Sequence, residues 1–287
     1  MAPGHGPPVL SCRRMSSEGD RNRRFGVGLA RAFAGAVIFG LPLLMTMEMW
    51  SLGFSVPADR IALLLVLFLP FLVALSWHVG FEPTFSLRDD VVDALVAYAV
   101  GFVASALGLA LLGLLDGGTS WREAVGKIAL QAVPASIGAL LAQSQLGHED
   151  AAREPRGGVA RHASDLFLMG VGALFLAMNL APTEEMVLIA LRLPAWGTAL
   201  LMAVSLLAMH AFVYAVAFRG QPQDRAGGWS VFARFSASGY AIALLGSAYI
   251  LWTFGRLDGL GAAPALQVVA VLGFPAAIGA ATARLIL

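Results

Sequence analysis

The chain has 287 residues, of which 58% are hydrophobic and 13% charged, and its formal net charge is +1. Soluble domains carry roughly 25% charged residues, so half that share with long apolar runs makes lipid the solvent. The near-zero charge supplies no field to recruit nucleic acid, and the single cysteine, Cys12, excludes an intramolecular disulfide and a cysteine-built metal site.

Residues 1–25 form a polar arm rich in Pro, Gly, Ser and Arg, including Arg13, Arg14, Arg21, Arg23 and Arg24. This composition reads as a disordered cytoplasmic arm. The apolar run from about Val27 to Phe54 is far too long for a signal-peptide core and reads as an uncleaved first span. In chain order the expected spans are 28–53, 61–80, 91–115, 124–143, 164–186, 195–218, 231–254 and 265–285. Each has about the 20 apolar residues that a membrane crossing needs. The runs are too long for the short alternating strands of an outer-membrane barrel. The expected fold is therefore all-α, a polytopic membrane bundle of eight transmembrane helices.

Arginine placement sets the orientation. With the N-terminus inside, 14 of the 19 basic residues fall on the cytoplasmic side. Arg60, Arg122, Lys127, Arg192 and Arg256 fall outside. The expected location is the inner membrane, with both termini cytoplasmic.

The polar linker between spans four and five lies near the middle of the chain, where a duplicated gene would be joined. A shift of 137 residues lays span one on span five. It pairs Gly35-Ala36 with Gly172-Ala173, Thr46 with Thr183, Glu48-Met49 with Glu185-Met186, and Pro57-Ala58 with Pro194-Ala195. Further on, Tyr98-Ala99-Val100 corresponds to Tyr240-Ala241-Ile242. Pro134-Ala135-Ser136-Ile137-Gly138-Ala139 corresponds to Pro275-Ala276-Ala277-Ile278-Gly279-Ala280. The expected organisation is a first four-span repeat at 26–144, a linker at 145–163 and a second repeat at 164–287. Four spans is an even number, so the repeats enter the membrane in the same sense, as in parallel-repeat transporters. Glu48 and Glu185 then sit at one depth, near the outer face.

Carboxylates within spans are expensive to bury and are functional candidates. Two readings of Thr46, Glu48, Thr183, Glu184 and Glu185 are open. In the first, Glu48 and Glu185 face each other across the repeat axis and share a proton, with the neighbouring side chains completing a proton or cation site. In the second, Pro182-Thr183-Glu184-Glu185 is a helix start at the interface. Span five then stops near Ala181 and restarts at Thr183, whose oxygen caps the new helix. In the first half Pro42 lies one turn before Thr46, so the break is less clearly signalled there.

His210 inside span six and His78 at the end of span two are not matched by the repeat, and read as hydrogen-bonded packing residues. Gly101, Ala104, Ser105 and Gly108 form a small-residue face on span three that lets helices approach. The six tryptophans fall near span ends, as an aromatic belt does. There is no Walker loop, Gly-x-Ser-x-Gly elbow or His-Glu-x-x-His motif, so no enzyme chemistry and no cofactor are expected.

The segments Phe39-Gly40-Leu41-Pro42-Leu43-Leu44-Met45-Thr46-Met47-Glu48-Met49-Trp50 and Asn179-Leu180-Ala181-Pro182-Thr183-Glu184-Glu185 resemble a bacterial family of integral membrane proteins defined by a domain of unknown function. The resemblance covers most of the chain from about Arg23 onward. It implies a multi-span inner-membrane protein and brings no activity, substrate or catalytic residue. The leading functional expectation is a small secondary transporter or permease coupled through Glu48 and Glu185. The alternative is a non-transporting membrane protein that anchors or supports a partner. Expected partners are the lipid bilayer and a small solute or ion, without nucleic acid; the sequence leaves the oligomeric state open.

Overall fold

The computed structural model describes residues 10–79, 87–146, 158–217 and 232–286. Among these the chain is helical, with no strand. In order the helices are α1 (Leu10–Leu44), α2 (Met47–Ser55), α3 (Ala58–Val79), α4 (Leu87–Leu111), α5 (Trp121–Leu146), α6 (Gly158–Leu180), α7 (Glu185–Arg192), α8 (Ala195–Ala217), α9 (Ser238–Thr253) and α10 (Ala262–Ile286). A π-helical turn, Phe232–Ala237, runs directly into α9. Eight helices are long and apolar enough to cross a bilayer; α2 and α7 are the two short ones. The chain is an all-α, multi-pass bundle. The linker lies largely outside the described residues, whereas α1 extends back into the basic arm as far as Leu10.

Two spans are shorter than expected. The first crosses from Phe25 to Leu44 rather than to residue 53, and the fifth ends at Leu180 rather than at 186. Proline explains both ends. Pro42 has no N–H to give to the carbonyl one turn back, and α1 stops two residues later. Pro182 follows α6 and biases Ala181 away from the helical region. The same chemistry recurs at the next corners. α2 closes with a Val56 N–H to Leu52 carbonyl bond, and α7 closes with Leu193 N–H to Ile189. Pro57 and Pro194 then open α3 and α8, where a missing N–H costs nothing.

Each half is built around its last helix. In the first half α5 packs against α1, α2, α3 and α4; in the second, α10 packs against α6, α7, α8 and α9. The crossing windows of α5 and α10 are 78% and 56% buried, whereas no other span exceeds 39%. Lipid tails are as apolar as leucine, so helices associate in a membrane through close van der Waals packing of small residues. Both central helices are accordingly rich in buried alanine, such as Ala132, Ala135 and Ala139 in α5 and Ala276, Ala277 and Ala280 in α10. The closest crossings are glycine on glycine. A Cβ on Gly35 of α1 would fall on the Gly138 carbonyl of α5, and one on Gly172 of α6 would fall on the Gly279 carbonyl of α10.

The turns after α4 and α9 are also alike. Gly113 and Gly255 take φ of 70° and 71°, the left-handed conformation that ends a helix. Leu114 N–H bonds to the Leu109 carbonyl at 2.9 Å, and Arg256 N–H bonds to Leu251 at 2.8 Å. Both turns read Gly-x-Leu-Asp-Gly, at Gly113–Gly117 and Gly255–Gly259. These turns, with α2 and α7, make up the end of the bundle opposite the chain termini.

Candidate functional site at the end opposite the termini

Glu48 lies in the first turn of α2 and is half-buried, while Glu185 opens α7 and is exposed. α2 rests on α5 and α7 on α10, so the two carboxylates belong to different halves. Among the described residues neither makes an ion pair or a side-chain hydrogen bond. Glu184 is 74% exposed and lies 3.9 Å from Arg256 Nη1.

The threonines do not cap. Thr46 Oγ1 donates back to the Pro42 carbonyl at 2.7 Å, and Thr183 Oγ1 donates back to Leu180 at 2.8 Å. The Thr46 hydroxyl thus serves a carbonyl in the last turn of α1, whereas the Thr183 hydroxyl shares the Leu180 carbonyl with its own backbone N–H. Neither accepts from the helix that follows, and α7 starts at Glu185, two residues after Thr183. A helix break is therefore present after both α1 and α6, with the threonine hydroxyls turned back onto the old helix although Thr46 holds the N-cap position of α2.

Two arginines make long-range polar contacts at this end. Arg60, in the first turn of α3, reaches across to the turn after α9. Its Nη1 and Nη2 donate to the Asp258 carboxylate at 2.9 and 3.1 Å, and Nη1 also donates to the Trp252 carbonyl at 2.7 Å. Its Cζ stands 4.9 Å from the Trp252 ring centroid, a cation–π distance. Arg256, in that same turn, donates to the Pro182 carbonyl at the broken α6–α7 corner. Each arginine thus serves one helix-end carbonyl and one carboxylate.

Asp258 has a counterpart in the first half that behaves differently. Asp116 closes its own turn, accepting from Thr119 Oγ1 at 2.8 Å and Gly118 N–H at 3.0 Å. These bonds, the Thr119 hydroxyl foremost, hold its carboxyl below the usual carboxylate range. The second turn has Gly261 where the first has Thr119, so Asp258 lacks that internal donor and takes Arg60 instead.

Other polar groups are structural in their geometry. Lys127, buried in α5, bonds to the Leu114 carbonyl at 3.1 Å and pairs with Glu123 at 2.6 Å. His210 Nδ1 lies 2.9 Å from Ser236 Oγ in the π-helical turn, and the ring meets Phe232 edge-on. His78 bonds to the Ala74 carbonyl at 2.6 Å and stacks on Phe167. Near the termini Arg284 lies over the Phe235 ring, 3.8 Å from its centroid, and 3.8 Å from Asp165. Gln131, in the middle of α5, is 1% exposed, and among the described residues its amide atoms have no hydrogen-bond partner. The Arg60–Asp258 pair and Gln131 are the residues that reading the sequence alone does not single out. The repeated Gly-x-Leu-Asp-Gly turn was the available signal for Asp258.

Among the described residues no group of three or more His, Cys, Asp or Glu side chains is placed to hold a metal ion. No curated protein and no solved structure matches the chain. A family model described as "Putative integral membrane protein" matches residues 28–287, which takes in all eight crossings and both short helices apart from the first few residues of span one. The chain therefore belongs to the DUF2391 family of integral membrane proteins.

Proposed function

We propose that the protein is a small secondary transporter or permease, built from two duplicated halves that move against each other. The observation that carries this reading is the thin seam between the halves. Within each half the spans pack closely on α5 or α10, whereas across the seam the contact is narrow, with α3 against α6 and α9 and α5 against α6. Two tight bodies on a narrow seam are what rigid-body rocking needs. What supports the duplication is the recurrence of the glycine crossing, the proline corners and the Gly-x-Leu-Asp-Gly turn at matched positions.

In this reading Glu48 and Glu185 are the protonatable groups that couple a proton or small cation to movement. Glu184, Thr46 and Thr183 flank them. The site is at the outer end of an inner-membrane protein whose termini are cytoplasmic, as the arginine bias favours. No enzymatic step is part of the proposal. The test is solute or proton flux in proteoliposomes, comparing wild type with Glu48→Gln/Glu185→Gln. Flux that needs a gradient and falls in the double variant supports the reading. Unchanged flux in the variant removes the carboxylate coupling, and absence of flux under every gradient removes transport.

A second reading, a non-transporting protein that anchors a partner, draws on a different observation. α7 leaves Leu188, Ile189 and Leu191 exposed, beside the exposed Glu184 and Glu185. Co-purification of a defined partner, lost when these three side chains are made polar, distinguishes it.

A further inference from the structure

The seam between the halves holds a groove of about 490 Å³. Its walls are Leu64, Phe68 and Phe71 of α3, Leu174 of α6, and Leu245 and Tyr249 of α9. This volume lies within the roughly 300–1,000 Å³ range of small-molecule sites. The lining is almost wholly apolar, so water entering it would find few partners. One side opens outward past Leu67 and Leu245, which are 49% and 71% exposed, at the depth of the membrane crossing. Gly246 extends the opening, because a Cβ there would meet nothing within 4 Å.

The two ends of the groove differ. Toward the termini it is closed by rings, with Phe71 and Phe167 at 5.3 Å and His78 stacked on Phe167 at 4.8 Å. Toward the other end, one turn beyond Leu64 and Tyr249, stand Arg60 and Trp252. These two lie in the first turn of α3 and the last turn of α9, the level of the headgroups. From Leu64 to Phe71 the helix rises about 10 Å. The groove is thus bounded by aromatic rings at its inner end, apolar along its length, open on one side, and topped by the Arg60–Asp258 ion pair beside the Trp252 indole. That polarity profile is the profile of a lipid: an alkyl chain below, a polar headgroup above.

We propose that this groove holds one acyl chain of a bilayer phospholipid, with its headgroup at the level of the Arg60–Asp258 pair and Trp252. The lipid completes the thin seam from the membrane side. The site does not depend on transport, and it exists whether or not the halves move a solute.

The test uses the full chain in mild detergent with a phosphatidylglycerol brominated in its acyl chains, which quenches nearby tryptophan. Trp252 is kept as the sole tryptophan by changing the other five to Phe. The expected result is saturable quenching that levels off at one phospholipid per chain, with the same ratio retained by the wild-type protein in native mass spectrometry. In Gly246→Leu, whose new side chain enters the groove, retention falls at least tenfold while helicity and elution volume are unchanged. Quenching that climbs without saturation as lipid is added marks general annular contact and overturns the proposal. So does undiminished retention in a folded Gly246→Leu protein. If that variant does not fold, the sole-tryptophan titration decides alone.

Discussion

Arg60 and Asp258 stand 198 positions apart in the chain and meet through two guanidinium nitrogens, at 2.9 and 3.1 Å. The pair joins α3 of the first half to the α9–α10 turn of the second, and the Trp252 ring supports it from one face. Asp258 is 54% exposed, so solvent screens much of the ionic part. The cation–π contact and the Trp252 carbonyl bond are less screened. Arg60→Ala should therefore weaken the seam by on the order of 1–2 kcal/mol. Spin labels placed one on each half should report a broader distance distribution at the end opposite the termini. Asp116→Ala, which alters the matched turn inside the first half, should leave that distribution as in wild type. High salt should reproduce only part of the Arg60→Ala effect, because it acts on the ion pair alone.

The glycine crossings make a second prediction. A Cβ on Gly35 meets the backbone of Gly138, which cannot swing aside as a side-chain tip can. Gly35→Val should push α1 from α5 and cost about 1–3 kcal/mol or more. Gly40, one turn and a residue further along α1, would place its Cβ 3.6 Å from the Ala135 Cβ, an ordinary contact. Gly40→Ala should stay within about 0.5 kcal/mol of wild type, or gain slightly from helix propensity. Thermal unfolding of both variants in one detergent compares them directly. Equal loss in the two would mean that the crossing is not the tight point.

What the sequence revealed follows from what it encodes locally. Crossing length is local, so eight runs of apolar residues sufficed to find eight spans. The ends of spans one and five were harder, because the chain stays apolar through Met49, Trp50 and Phe54 after α1 has ended. Hydropathy does not register a change of helix direction. Pro182 did signal the second break, and Pro42 gave a weaker sign of the first. The direction of a threonine hydroxyl is not in the sequence at all: Thr46 and Thr183 sit where caps would sit, yet both donate backward. The candidate glutamates lie beyond the ends of their crossing helices, and their separation onto α2 and α7, on different central helices, needed the packing. Arg60 looked like one more basic residue of an outer loop. Only the fold brings it to Asp258.

Asp116 yields a pH prediction. Its folded pKa is lowered by the Thr119 hydroxyl and the Gly118 N–H, relative to about 3.9 for a free Asp side chain. A lowered folded pKa means that the contribution to the turn is complete above the unfolded value and is lost as pH falls through the folded one. The turn between α4 and α5 should thus be unaffected from neutral pH down to about 4, then loosen at lower pH. The Gly118 amide resonance in glycine-labelled protein should titrate with a midpoint below that of a free aspartate. In Asp116→Asn that step should vanish. A midpoint at or above about 4 would contradict the bonding described for this turn.

Gln131 provides the last test. It is buried to 1% exposure in the most enclosed helix of the first half, and among the described residues neither amide atom has a hydrogen-bond partner. A buried amide without partners costs about 1–3 kcal/mol, and replacing it with an apolar group of similar shape removes that cost. Gln131→Leu should therefore be neutral or raise the unfolding temperature, opposite to the usual effect of a core substitution. Gln131→Ala separates the two contributions, since it removes the amide but also opens a cavity. It should lie below Gln131→Leu in stability. If Gln131→Leu instead destabilises the folded protein while leaving α5 helical, the amide is hydrogen-bonded in the membrane. A loss of flux with full stability would assign Gln131 to the solute path, which at the centre of α5 would run inside the first half and not along the seam.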